Sequence, residues 1–163
     1  MSRRLGVLDS MRLWLIYPKA YNLGNALSQS GHKVEAAQRF LEAKERDPVG
    51  SEYWAKATAM GFDMLRQKEC AEVVKPEWWN DEGLKALSAR VVRAAPNYPA
   101  ANAMRADALS GADGGWEVGP RSAAELREAA THYERAAALC PAPTVKAEFA
   151  LCADACRSQA DAM

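Results

Sequence analysis

Residues 20–48 read AYNLGNALSQSGHKVEAAQRFLEAKERDP. Ala20, Leu23, Gly24 and Leu27 recur at steps of three and four, the spacing of one helix face. Pro18 suits the first turn of such a helix, and Gly31 suits its end. Ala36, Phe40 and Ala43 mark one face of a second helix over Val34–Arg46, which Pro48 stops. The stretch therefore predicts two antiparallel helices joined by a tight turn. Gly24 and Ala36 are small where the helices cross, and the Phe40 ring fills the space between them.

The second half of this pattern returns along the chain. Ala36, Phe40, Ala43 and Pro48 share their offsets with Ala129, Tyr133, Ala136 and Pro141. Leu84, Ser88, Val91 and Pro96 keep the spacing without the aromatic. Each row follows another helical segment, so the reading gives helices over Pro18–Ser30, Val34–Arg46, Ser51 to about Gln67, Pro76–Ala94, Pro99–Leu109 and Ser122–Leu139. Ser122 with Glu125 forms a capping-box signal. A last helix over Thr144–Gln159 carries Val145, Phe149, Cys152 and Cys156 as its apolar stripe. No period-two run of β-branched residues competes. The fold class is all-α.

Ala20-x-x-Leu23-Gly24-x-x-Leu27 followed by Ala36-x-x-x-Phe40-x-x-Ala43 and Asp47-Pro48 resembles the 34-residue tetratricopeptide repeat. Ala20 stands where that family usually has tryptophan, and Leu27 where it has tyrosine. The terminal prolines are spaced more widely than the family period, so the later units are longer. The resemblance implies a right-handed α-solenoid of about three helix hairpins plus a C-terminal capping helix. Its units are 17–50, 51–97 and 98–141, with the cap over 143–160. Trp54 and the pair Met60-Gly61 offer two competing registers for the second unit.

Composition narrows the function classes. The 163 residues include 33 alanines, which favours packed helices, and 21 basic residues balance 21 acidic ones. Zero net charge argues against a nucleic-acid or anionic-membrane partner, since both need a basic excess. The leading segment 1–16 holds Arg3, Arg4 and Arg12 against Asp9 alone. It reads as a leading helix or a truncated preceding unit, with a mitochondrial presequence as the alternative. Its apolar run Leu13–Ile16 is too short for a secretory core. Cys70, Cys140, Cys152 and Cys156 read as packed thiols in a reducing compartment, so a cytoplasmic location is expected.

Chemistry-bearing patterns are scarce. No nucleophile elbow, phosphate loop or paired-histidine zinc helix occurs. His32 sits in a turn and His132 reads as a solvent-facing residue of a helix. No catalytic residue, metal site or cofactor is assigned. The remaining expectation is a non-catalytic interaction or scaffold module. Its alternatives are a structural subunit of a larger assembly, or a small helical redox protein using Cys152 and Cys156.

In the family this chain resembles, the first helices of successive units line a concave groove that binds peptide segments. That implies a partner protein or peptide touching Tyr21, Asn25 and Gln29 of the first unit, Phe62 and Arg66 of the second, and Asp107 of the third. The mixture suggests backbone hydrogen bonds with aromatic anchoring rather than capture of a charged tail. Trp78 and Trp116 are alternative anchors. Trp78 is either partly buried against the preceding turn or exposed to a partner. Trp116 either pins its glycine-rich loop onto the helices or contacts a partner.

Overall fold

The computed structural model describes residues 19–112 and 115–163, so the leading segment 1–16 assigned above lies outside it. Among the described residues seven α-helices follow one another: α1 (19–29), α2 (Lys33–Arg46), α3 (Glu52–Leu65), α4 (Asp81–Ala94), α5 (Pro99–Ser110), α6 (Ala123–Leu139) and α7 (Pro143–Asp161). A single 3-10 turn, Lys68–Cys70, interrupts the connection from α3 to α4. No strand occurs among the described residues. The chain is all-α.

Local chemistry sets the helix ends. Gly31 takes φ +83°, a left-handed conformation that suits glycine, and stops α1. The His32 N–H then reaches the Leu27 carbonyl and the Gly31 N–H that of Ser28, closing the orphan carbonyls of the last turn. Ser51 caps α3 by accepting from the Trp54 N–H, and Asn80 caps α4 by accepting from the Gly83 N–H. The predicted capping box of α6 is present in both directions between Ser122 and Glu125. The start of α4 differs from the sequence reading. Residues 76–79 form a turn closed by the Trp79 N–H and the Pro76 carbonyl, and the Asn80 cap, not Pro76, opens the helix.

Consecutive helices pack on each other from α2 to α7, and α3 also meets α5. The buried interior falls into linked groups rather than one central mass. Phe40 lies with Ala36, Met64, Leu65 and Cys70; Trp54 and Phe62 with Leu84, Val91 and Met104; and Tyr133 with Ala106, Leu109, Ala129 and Cys156. Alanine faces let the axes approach closely, and each aromatic fills the gap that the alanines leave. On α7 the inward row is Ala153, Cys156 and Ala160, with Phe149 packed beside it. Cys152 and Val145, placed in the apolar stripe by sequence, lie exposed. The smaller alanines face α6 because its own surface there carries the bulky Tyr133.

The Gly24–Phe40 crossing has no room for a side chain. A Cβ on Gly24 would stand 2.7 Å from the Phe40 ring, and that ring is itself fully buried. Gly24→Leu should therefore cost about 1–3 kcal/mol through overpacking. Thermal melts measure this, and an unchanged midpoint would contradict the crossing.

Asp47, at the end of α2, is 4% exposed, and neither carboxylate oxygen has a hydrogen-bond partner. Burial pushes its pKa up to about 6 from an ordinary 3.8. The folded chain thus keeps a proton that the unfolded chain releases, and stability falls as pH rises from about 4 through about 6. Asp47→Asn removes this penalty. The variant should gain about 1–3 kcal/mol at pH 7.5 and almost nothing at pH 3.5. Paired melts at the two pH values decide it; equal differences at both would show that Asp47 is not the source.

Candidate functional site

The N-terminal half of α5 lies between α3 and α7, and the three helices enclose a cleft of about 200 Å³. Ala59, Phe62 and Asp63 come from α3; Pro99, Ala100, Ala103, Met104 and Asp107 from α5; and Val145 and Phe149 from α7, with Cys140 at its edge. Pro99 opens α5 at its first turn and α7 likewise begins on a proline, Pro143. The small residues Ala59, Ala100 and Ala103 leave the space; Met104 and Phe149 give it apolar walls. That volume suits one large side chain. Small-molecule pockets usually need roughly 300–1,000 Å³.

A polar seam runs beside this apolar lining. Arg66 reaches from α3 to form an ion pair with Asp107 of α5, and its guanidinium lies 5.3 Å from the Phe62 ring centre. Asp107 also accepts the Tyr133 hydroxyl of α6 at 2.6 Å. Burial raises the Asp107 pKa, while Arg66 and Tyr133 pull it down; burial wins. Asp63 is partly buried and shows the same order, with burial pushing it up against the charges of Arg66 and Lys33. Its carboxylate accepts no hydrogen bond from the described residues. At the other end of the seam the Tyr21 and Tyr98 hydroxyls are 2.6 Å apart, tying α1 to the start of α5.

These placements sort the residues predicted from sequence. Phe62, Arg66 and Asp107 come together at the cleft. Phe62, however, is 1% exposed, with the Trp79 and Trp116 rings at 5.3 and 6.1 Å. It is a core aromatic rather than an accessible anchor, because the loops after α3 and α5 fold their tryptophans over it. Asp107 is likewise committed inward by Arg66 and Tyr133. Tyr21 is half-buried between Phe40 and Tyr53. Asn25 is half-buried and Gln29 exposed on α1, away from the cleft lining.

The tryptophans also settle into place. Trp116 donates from its indole to Asp81 at 3.1 Å and packs edge-on against Trp79, so it pins the loop onto the helices. Trp78 is partly buried, with Lys44 5.8 Å from its ring centre and Trp79 beside it. His132 differs from its sequence reading. It is half-buried, 3.1 Å from the side-chain oxygen of the fully buried Asn102, and burial lowers its pKa.

Sequence reasoning missed Asp63 and Tyr98. Asp63 lies one residue beyond Phe62 on α3, a position that the sequence reading did not place on the groove face. Tyr98 carried a weak signal as the residue before a helix-opening proline.

Among the described residues no three His, Cys, Asp or Glu side chains are grouped to hold a metal ion. No helix of the described residues is long and apolar enough to cross a membrane. The cleft itself offers two carboxylates, one thiol and otherwise carbon, with no histidine in its lining. Comparison with known proteins gives no match: no family model, no curated protein and no solved structure matches this chain.

Proposed function

We propose that this chain is a non-catalytic binding module built as a tetratricopeptide-like stack of three helix hairpins with α7 as its cap. In this reading α1–α2, α3–α4 and α5–α6 are the hairpins, and the alternate helices α1, α3, α5 and α7 line one concave side. One observation carries it: the cleft is lined by α3, α5 and α7 and by neither of the helices between them. The contact of α3 with α5 across that side supports the same stacking. A side chain of a partner peptide or protein would enter the cleft, with the rest of the segment running along α5.

The redox alternative lacks support from Cys156. That thiol is buried, and its pKa is pushed up by burial first and by the neighbouring Cys152 second. A thiol-exchange centre needs a stabilised thiolate instead.

The test is site-specific cross-linking in source cells. A photoreactive benzoylphenylalanine at Ala103, half-buried in the cleft, should capture a defined partner peptide identified by mass spectrometry. The same group at Glu134, exposed on α6, should not. Capture from Glu134 alone would overturn the cleft and favour an assembly surface on the outer helices.

A further inference from the structure

We infer that the cleft selects a peptide segment in which a large aliphatic side chain neighbours a lysine or arginine. This rests on the binding reading above and deepens it by stating what the partner must carry.

The argument starts from what the lining lacks. Two carboxylates, Asp63 and Asp107, border the space, and no lysine or arginine lines it. Asp107 is satisfied within the protein by Arg66 and by the Tyr133 hydroxyl. Asp63 is not. Arg66, the cation one turn along α3, is committed to Asp107, and no described residue donates to the Asp63 carboxylate. A carboxylate with no direct ion pair or hydrogen-bond donor among the described residues, offset only through space by Arg66 and Lys33, therefore stands half-buried at the edge of an apolar slot.

A half-buried carboxylate without a donor is costly, and an incoming cation relieves that cost as it binds. The apolar slot beside it removes one side chain from water without supplying a polar partner. The two features sit side by side, so the complementary ligand places its apolar group and its base on neighbouring positions. An acidic segment would meet Asp63 as a like charge at short range, which favours rejection. The preference differs from the backbone hydrogen bonding with aromatic anchoring expected from sequence, because Asp63 rather than Asn25 and Gln29 borders the cleft.

The experiment is selection of a phage-displayed random dodecapeptide library on the immobilised full chain. Three proteins are compared: wild type, Asp63→Asn and Ala103→Trp, each checked for folding by circular dichroism. Ala100→Trp serves as a second cleft-filling variant should Ala103→Trp fail to fold. Wild type should enrich sequences with an aliphatic residue next to Lys or Arg by roughly fivefold or more. Asp63→Asn should keep the aliphatic enrichment and lose the basic one. The tryptophan variants should lose both. Enrichment of neutral or acidic sequences on wild type, abolished by the cleft-filling variants, would overturn the basic preference and leave the binding cleft standing. Wild-type enrichment equal to that on the tryptophan variants would overturn the cleft as well. So would a wild-type dimer in sedimentation that Ala103→Trp dissociates, since the slot would then belong to a second copy of the chain.

Discussion

Asp107→Ala is expected to destabilise the chain by about 3–5 kcal/mol, the cost of leaving a buried partner charge uncompensated. Asp107 is the acceptor on which three helices converge: Arg66 from α3, Tyr133 from α6 and its own α5. Arg66 is the group left stranded. Its Nε is already buried without a partner, so the guanidinium has little other satisfaction in place. Tyr133 suffers less, because its hydroxyl lies 3.2 Å from the Ser110 hydroxyl. Burial outweighs the pairing in setting the Asp107 pKa, so the pair itself contributes little net stability. The double variant Arg66→Met, Asp107→Leu should therefore recover most of the loss. Chemical denaturation of Arg66→Met, Asp107→Leu and the double variant closes the cycle. A double variant as unstable as Asp107→Ala would show that the carboxylate acts by some route other than Arg66.

Asp81→Ala should cost about 3 kcal/mol and free the segment between α5 and α6 from the helices. Asp81, in the first turn of α4, accepts from the Trp116 indole at 3.1 Å, the Gly119 N–H at 3.3 Å and Arg121 Nη1 at 2.8 Å. Arg121 is 5% exposed and keeps only backbone carbonyls when the carboxylate is gone. The pH dependence has a defined sign. Hydrogen bonds from Arg121, foremost, hold the Asp81 carboxyl well below the usual carboxylate range. Its contribution is complete above an ordinary aspartate pKa near 4 and is lost as pH falls through the depressed folded value. The penalty of Asp81→Ala should thus be full at pH 7 and shrink on acidification below about pH 4. Urea melts at pH 7 and pH 3 measure it, with Trp116 fluorescence shifting to the red as the loop comes free. A penalty that grows on acidification would rule out the ion pair as its source.

The two aspartates show why part of this molecule was readable and part was not. Helical periodicity and caps are encoded within four residues, so Gly24, Gly31, Phe40, Ser122 and Tyr133 announced their roles. The 110–121 segment has no period. Its Trp116, Gly119 and Arg121 are gathered by one carboxylate on α4, more than thirty residues back along the chain, and no local pattern links Asp81 to Trp116 or Arg121. The same applies at the cleft. The spacing of Phe62 and Arg66 brought them into consideration, but their burial depends on Trp79 and Trp116 arriving from two separate loops. Asp63 became a cleft residue only once α5 and α7 were set beside α3. The residue types suited their places; which face of α3 met which neighbour was tertiary information.

One wall of the cleft belongs to a helix with little interior of its own. Of the nineteen residues of α7, only Ala153, Cys156 and Ala160 are buried, and its main packing partner is α6. Segments with few buried apolar contacts open locally at free energies well below that of global unfolding. Whenever α7 lifts, Val145 and Phe149 leave and the slot loses one side. Under the binding function proposed above, ligand affinity is the intrinsic affinity scaled by the fraction of molecules with α7 seated. Occupancy in turn holds α7 down, so binding and the ordering of this last helix are a single equilibrium. Under that proposal, changes on the α6–α7 contact, remote from the cleft, should tune how tightly a partner is held without altering what is selected.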